Sequence, residues 1–214
     1  MSIFVPRLDG RHVRLEPLQP RHATGLAKAA QGDPSLYRWA VVPQGETAAT
    51  AYVDSALVQR DTCTAVPFAV TRADDGAVIG STRFWDLTWW PWPQRRHGPD
   101  DAPDTCEIGH TWLAASAIRT AVNTEMKRLM LGHAFEVWQV RSVCLHTDVR
   151  NERSRRAIER IGARFEGVLR AHRLATDLAP RDSARYSITA PEWPEVRRRL
   201  DGMLAARETA QGRR

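Results

Sequence analysis

The chain has 214 residues, of which 43% are hydrophobic and 26% charged, a mixture normal for a globular protein. Its net charge of +6 favours an anionic partner, which could be a nucleic acid, a membrane surface or a polyphosphate ligand. No apolar run approaches the roughly 20 residues that a membrane span requires, and the N-terminus lacks the pattern of a signal peptide, so we expect one soluble domain over residues 1–214.

Three cysteines, Cys63, Cys106 and Cys144, are widely spaced and odd in number, and they match no metal-ligand pattern. A reduced cytoplasmic protein is therefore favoured over a disulfide framework, and no bound metal is expected. In the simplest interpretation the three thiols are small buried hydrophobic groups.

The first third of the chain predicts a strand followed by two helices. Residues 11–16 alternate polar and apolar side chains, which indicates a strand. A helix is predicted over about 21–31, between Pro20 and Gly32, and a second over 46–60.

A hairpin follows. Residues 66–72 and 77–87 are rich in β-forming side chains and flank Asp74-Asp75-Gly76, whose Asp-Gly pair is a strong turn signal. The second strand continues into a cluster of tryptophans and then into a proline- and charge-rich segment, 93–103, which predicts a long loop. The tryptophans are Trp85, Trp89, Trp90 and Trp92.

Residues 107–162 predict a strand, a helix, a second strand and a second helix, which form one βαβα unit. The second helix opens on Asn151-Glu-Arg-Ser154. The first helix has the three-and-four spacing of one buried face, with Lys127, Arg128 and Glu136 off that face. The apolar positions of the face are Met126, Leu129, Met130, Ala134, Val137 and Trp138.

Two more strands are predicted over 164–173 and 183–190, with a loop over 174–182 between them. A basic amphipathic helix over 192–208 lies within a basic C-terminal helix and tail, 191–214. No repeat, low-complexity segment or linker divides the chain, which supports a single domain.

The start of the first helix of the βαβα unit is a candidate anion site. The first four N–H groups of a helix lack intrahelical partners, and the aligned peptide dipoles place partial positive charge there. Small and polar residues at 120–124 would let a phosphate approach this backbone.

The order of these elements resembles that of the GCN5-related N-acetyltransferases (GNAT), and more narrowly the RimJ/RimL-like branch that acetylates ribosomal-protein N-termini. The motifs that carry the resemblance are Glu107-Ile-Gly-His-Thr-Trp-Leu, Arg119-Thr-Ala-Val-Asn-Thr-Glu-Met-Lys127, His133-Ala-Phe-Glu, Thr147-Asp-Val-Arg-Asn-Glu-Arg-Ser154, Ala157-Ile-Glu-Arg-Ile-Gly-Ala163 and Glu166-Gly-Val-Leu-Arg170. The resemblance implies an α+β fold, an α/β/α sandwich whose mixed, mostly antiparallel sheet has about seven strands and helices on both faces. It also implies an enzyme that moves an acetyl group from acetyl-CoA to a primary amine.

The pyrophosphate loop departs from the family pattern Gln/Arg-x-x-Gly-x-Gly/Ala. The corresponding positions here are Ile118, Ala121 and Asn123, so the basic first residue and both flexible positions are absent. Because backbone N–H groups make most phosphate contacts, Ala121 can serve if its φ is negative, and Arg119 can supply the missing charge. The resemblance places the pyrophosphate on Arg119, Thr120, Ala121, Val122, Asn123 and Thr124.

The resemblance places the rest of acetyl-CoA between the Glu107 strand and the strand that begins near Arg141. The backbone of three consecutive residues would hold the pantetheine and the thioester, and Asn151 would hydrogen-bond the pantetheine arm. Those three residues are Thr111, Trp112 and Leu113.

Amine attack on a thioester needs a base for the amine proton and an acid for the thiolate. We assign the base to Glu107, with His110 as competitor, and the acid to Ser154. Strand alternation puts Glu107 and Gly109 on one face and His110 on the other, so the two bases share a pocket only if a bulge intervenes.

Structural roles remain open for each of these residues. Asn151 is a good helix N-cap, Glu107 could be a paired strand carboxylate, and Ser154 could be an ordinary surface hydroxyl. His110 could be a hydrogen-bonded structural histidine.

The acceptor is a protein or peptide N-terminal α-amine in the favoured interpretation. An α-amine has a pKa of about 8 against about 10.4 for lysine, so more of it is neutral at pH 7 and a weak base suffices. A small-molecule amine or a non-catalytic acyl-CoA-binding module are the alternatives. The tryptophan cluster, with Arg95 and Arg96, could form the acceptor wall, an aromatic packing unit or a homodimer contact. Neither nucleic acid nor a membrane is expected as a partner, because no recognised binding motif is present.

Overall fold

The computed structural model of the chain describes residues 3–93 and 102–211. These form a single eight-stranded sheet in the order β1-β2-β3-β4-β5-β6-β8-β7, together with five α-helices. The strands are β1 Leu8–Asp9, β2 Val13–Pro17, β3 Ala65–Arg72, β4 Val78–Thr88, β5 Thr105–Leu113, β6 Ser142–Asp148, β7 Arg164–Leu174 and β8 Pro180–Thr189. The helices are α1 Ala23–Ala29, α2 Gly45–Asp61, α3 Val122–Gly132, α4 Glu152–Arg160 and α5 Trp193–Gln211.

The sheet is mixed and mostly antiparallel, as predicted: β5 and β6 are parallel, and the other neighbouring strands are antiparallel. The strand that the sequence did not predict is β1, whose two residues are too short for an alternation pattern. The hairpin at Asp74-Asp75-Gly76 joins β3 and β4 as predicted, and Gly76 has a φ of 70° there. The last strand begins at Pro180, three residues before the predicted start.

Helices cover both faces of the sheet. Consecutive strand residues point to opposite faces, and in β4 Arg83 lies over the Tyr52 ring of α2, whereas Phe84 packs on Trp138 beyond α3, with ring centroids 4.6 Å apart. The predicted α/β/α sandwich is therefore present, with α1 and α2 on one face and α3 on the other.

Two predictions about the face of α3 were wrong. Lys127 is buried, with 6% of its surface exposed, although the helical pattern placed it off the apolar face. Its ammonium Nζ donates to the hydroxyl of Thr111 at 3.2 Å, so a tertiary contact on β5 accounts for its burial. Val137 is 53% exposed because α3 is followed by a π-helical segment, His133–Val137, whose wider turn changes which side chains face the core.

A buried carboxylate fixes the N-terminal strands to α3. Glu125 accepts hydrogen bonds from the backbone amides of Arg11, His12 and Val13 at 2.9, 2.6 and 2.9 Å. A Cβ on Gly10 would lie 2.5 Å from Glu125 Oε2, so glycine at this position makes the approach possible.

The segment predicted as a long loop lies largely outside the described residues, and so do Arg95 and Arg96. Before it, the Trp90 amide and the Trp92 indole donate to the carboxylate of Asp104 at 2.8 and 2.9 Å, which fixes this end of the tryptophan cluster. Of the helices that the structure describes, none combines the length and the apolar character needed to cross a bilayer.

Candidate active site

The site begins where two parallel strands separate. β5 and β6 pair over three residues only, with Glu107 opposite Cys144 as the last pair. β5 then continues to Leu113 and β6 to Asp148, without further pairing between them. The resulting gap is bordered by the main chains of two strands, with α3 and α4 starting after their ends.

A β-bulge lies in β5 just beyond Glu107. Across β4, Arg83 pairs with Gly109 but Ser81 pairs with Trp112, so β5 contains one residue more than β4 over this stretch. His110 has a φ of 51°, and its ring meets that of Trp85 edge-on with centroids 4.7 Å apart. Because Trp85 pairs directly with Glu107, the bulge brings both candidate bases to the same side of the sheet.

The Glu107 carboxylate is buried and has two polar partners. Its Oε2 accepts from His146 Nδ1 at 2.8 Å and from the Arg173 guanidinium at 3.0 Å, and its side chain is 3% exposed. Burial raises the pKa of Glu107, but the hydrogen bond from His146 and the charge of Arg173 outweigh it and hold the pKa below its ordinary value. Glu107 is therefore ionised at neutral pH.

His146 is the partner that sequence reasoning missed. With Glu107 ionised, Nδ1 of a neutral His146 carries the proton, so its Nε2 has a lone pair. That Nε2 is buried and has no hydrogen-bond partner among the described residues, and the ring lies 5.1 Å from that of His172. Alternation along β6 from Cys144 places His146 on the same face, which is the signal that could have identified it.

His110 is the weaker candidate base. Burial, and then the nearby positive charge of Arg83, lower the pKa of His110 to about 4. Gly109 makes room between its neighbours, since a Cβ there would lie 3.0 Å from Glu107 Oε1 and 3.2 Å from Trp85 Nε1.

The turn before α3 contains several backbone amides that have no hydrogen-bond acceptor among the described residues. Arg119 has a φ of 64°, and Ala121 has a φ of −70°, which is the negative value that phosphate binding without glycine requires. The Val122 amide donates to Thr120 Oγ1 at 3.3 Å. In the part of the chain that the structure describes, the amides of Thr120, Ala121, Asn123 and Thr124 donate to no acceptor.

At the start of α4, Asn151 is the N-cap. Its side-chain oxygen accepts from the Ser154 amide at 3.1 Å, which leaves its NH₂ group for another partner. Ser154 is half-buried in the first turn.

The three residues assigned to the pantetheine have their side chains engaged elsewhere. Thr111 Oγ1 contacts Thr82 at 2.8 Å, Trp112 packs edge-on against Tyr37, and Leu113 is buried. Only their main chain is therefore left to face the gap. Within residues 3–93 and 102–211, no group of three His, Cys, Asp or Glu side chains is arranged to hold a metal ion.

The acetyltransferase (GNAT) domain family matches residues 12–164 of this chain, which is more than half of its length. The chain belongs to this family. It is a GNAT enzyme, an acetyl-CoA-dependent N-acetyltransferase.

The relatives of this GNAT chain support the assignment. YdaF of Bacillus subtilis (strain 168), named provisionally as a ribosomal N-acetyltransferase, is 25% identical over 185 residues, which cover 85% of this chain and 93% of YdaF. A crystal structure of a GCN5-related N-acetyltransferase from Brucella melitensis is 26% identical with a TM-score of 0.80, over 95% of this chain and 87% of that one. Mycobacterium smegmatis RimJ, in complex with CoA-disulfide, shares the fold at 22% identity and a TM-score of 0.72, over 89% of this chain and 88% of that one.

Proposed function

We propose that this GNAT enzyme transfers the acetyl group of acetyl-CoA to the α-amine of a protein or peptide N-terminus. The observation that carries the proposal is the gap between β5 and β6, which has unbonded amides at α3 on one border and the Glu107–His146 pair where the strands separate. A linear cofactor with an anionic end and a reactive end fits such a gap.

The amides of residues 119–124 would hold the cofactor's pyrophosphate, because the helix dipole and unbonded N–H groups favour an anion there. The main chain of Thr111, Trp112 and Leu113 would hold the pantetheine, and the NH₂ group of Asn151 would donate to it. Capping and ligand binding use different atoms of Asn151, so the two roles are compatible.

Glu107 acts through His146 to remove the proton from the amine. An ionised carboxylate with a lowered pKa is a weak base by itself, but it orients the imidazole and stabilises the imidazolium that forms. His146 Nε2 takes the proton as the amine nitrogen attacks the thioester carbonyl. Ser154 then donates a proton to the departing thiolate.

The α-amine is favoured by its lower pKa and by the names of the relatives. A small-molecule amine is the second candidate, because a cavity of about 470 Å³ opens beside Trp85. Its walls include Gln59, Thr64, Leu87 and Trp89. The cavity is large enough for a compact amine.

The interaction partners are therefore acetyl-CoA and an amine, and neither nucleic acid nor a membrane is part of the proposal. We place the protein in the cytoplasm. Homodimer formation is consistent with the half-exposed Phe165 and Val168 on the edge strand β7.

Two measurements test the proposed function. Saturating acetyl-CoA should raise the melting temperature, because a ligand that binds only the folded state stabilises it by mass action. Thiol release should then be measured with N-terminal peptides, the same peptides with a blocked α-amine, and small amines. The proposal is wrong if blocked peptides that retain a lysine react as well as those with a free α-amine.

A further inference from the structure

Three arginines lie near His110 and form what we call the arginine cluster: Arg83, Arg173 and Arg181. Arg173 binds Glu107, lies 4.2 Å from the centroid of the Trp85 ring, and has 23% of its side chain exposed. Arg181 is half-buried, and Arg83 is buried with 3% exposed. Charges in such positions are costly unless they are paired.

Arg173 and Arg181 lie directly opposite each other on β7 and β8. Like charges at such a position repel and destabilise the sheet. The Nε of Arg181 donates to the neutral hydroxyl of Ser183 at 2.9 Å. Among the described residues no carboxylate lies within 4 Å of the Arg181 guanidinium, so the repulsion is not relieved there.

Arg83 is the second arginine without an anionic partner in the described chain. One of its terminal nitrogens donates to Gln59 Oε1 at 2.7 Å, and its guanidinium lies over the Tyr52 ring. Its Nε is buried and donates to no acceptor. A buried guanidinium with an unbonded N–H is an exception among native proteins, and it requires an explanation.

The cluster therefore carries more positive than negative charge. Near His110 there are three guanidinium groups and one carboxylate, Glu107, which already accepts two hydrogen bonds. Another acidic group that acts on Arg181 is Asp148, and it is bonded to Arg150. The same positive charges act on His110 and His172, whose pKa values are lowered first by burial and then by the arginines.

We propose that the acceptor carries a carboxylate close to its reacting amine, and that Arg181 and Arg173 bind this carboxylate. The inference rests on the part of the proposed function that is acetyl transfer to an α-amine, and it deepens that part by naming the acceptor class. Arg173 joins the two halves of the site, because it contacts Glu107 on one side and faces Arg181 on the other. An acceptor that spans them places its amine near His146 and its carboxylate on the guanidinium pair.

The carboxylate has two sources that the experiment distinguishes. It is either the α-carboxylate of a free amino acid or an acidic side chain next to a peptide N-terminus. Each source can be compared with a neutral amide of nearly the same shape. We would measure kcat/KM for glycine and glycinamide, and for peptides that begin Ser-Asp and Ser-Asn. The expected result is that one acid is preferred over its amide by about tenfold or more, since hydrogen bonds to charged groups are the stronger class.

Variants of Arg181 test whether this residue causes the preference for the acid over its amide. Arg181→Gln should reduce the ratio of acid to amide toward one, and Arg181→Lys, which keeps the charge, should retain most of it. Arg164→Gln is the matched control, because Arg164 also lies on β7 but is 76% exposed and pairs with Glu192. The inference is overturned if Arg181→Gln slows the acid and its amide equally.

A binding measurement separates failure of this inference from failure of the proposed function. Calorimetry with N-acetylglycine and N-acetylglycinamide, and with the acetylated peptide pair, requires no turnover. Preferential binding of one acidic product to wild-type protein but not to Arg181→Gln supports the inference even if the transfer assay fails. Transfer to neutral amines, with no preference for either acid in binding or turnover, overturns it and leaves the proposed function intact.

Discussion

Glu107 Oε2 and His146 Nδ1 lie 2.8 Å apart, and their side chains are both 3% exposed. This hydrogen bond spans β5 and β6 at the level where their ladder ends. It joins a buried carboxylate, whose pKa is held below its ordinary value, to an imidazole whose Nε2 has no hydrogen-bond partner among the described residues. Under the proposed function, this pair is the route by which a buried, ion-paired glutamate takes part in base catalysis.

His146→Asn is the sharpest test of this pair. The amide nitrogen of asparagine replaces Nδ1 as the donor to Glu107, but nothing replaces Nε2. We expect kcat to fall by roughly 10²- to 10⁴-fold, as for loss of a general base, with little change in melting temperature or in the KM for acetyl-CoA. Glu195→Gln, an exposed change on α5, is the control. An unchanged kcat would remove His146 from the mechanism.

Substitutions at Asn151 can separate its role as a helix cap from its proposed role in cofactor binding. Aspartate caps a helix as well as asparagine does, but it has no NH₂ group and adds negative charge. We expect Asn151→Asp to keep the melting temperature and raise the KM for acetyl-CoA. Asn151→Ala should also cost about 1 kcal/mol of folding stability through loss of the cap. If Asn151→Asp binds acetyl-CoA normally, Asn151 is a cap only.

Lys127 should make stability depend on pH. Burial lowers the pKa of Lys127 to about 7, whereas the value without burial is 10.5. Between these values the unfolded chain binds the extra proton, so wild-type stability rises with pH across this window. Lys127→Met should therefore be more stable than wild type by roughly 2–4 kcal/mol at pH 6, and this gain should shrink toward pH 10.

Thermal or urea unfolding of wild type and Lys127→Met from pH 6 to pH 10 measures this effect. Lys28→Met is the matched control, because Lys28 is exposed and is the other lysine of the chain. A difference between Lys127→Met and wild type that does not vary with pH would show that the Lys127 ammonium is not desolvated.

Glu125 should contribute to stability and not to catalysis. Its two oxygens accept three backbone amides, and glutamine offers one acceptor oxygen in their place. We expect Glu125→Gln to lower the free energy of unfolding by about 2–3 kcal/mol, as for loss of charge-assisted hydrogen bonds, with kcat unchanged below the melting transition. Gly10→Ala should destabilise by clash with the same carboxylate, and the double variant should lose less than the sum of the two.

Local patterns in the sequence were sufficient for most elements. Alternation and helical periodicity predicted seven of the strands, and Asp75-Gly76 predicted the hairpin because its conformation is encoded within two residues. The φ of Ala121 is also negative, as the predicted phosphate site requires, because a residue at a helix start needs only a negative φ.

Contacts between distant segments could not be predicted in the same way. The bulge at His110 arises from the register of β5 against β4, which no alternation pattern reports. Arg173 lies 66 residues from Glu107 in the sequence. Lys127 is buried because its ammonium donates a hydrogen bond to the Thr111 hydroxyl across the helix–sheet interface. The sequence thus located the gap and Glu107, whereas the groups that shift the pKa of Glu107 could be identified only from the tertiary fold.

The short ladder between β5 and β6 divides the sheet into two hydrogen-bonded blocks, β1–β5 and β6–β8. Three residue pairs and the bonds of Glu107 with His146 and Arg173 link the blocks at one end, while the other end has open main-chain groups. A pantetheine chain, which carries amide groups along an extended backbone, would supply rungs between them. Cofactor binding would then do more than position a thioester: it would add main-chain hydrogen bonds between two blocks that already share one hydrophobic core, so unfolding should become sharper as well as occur at higher temperature.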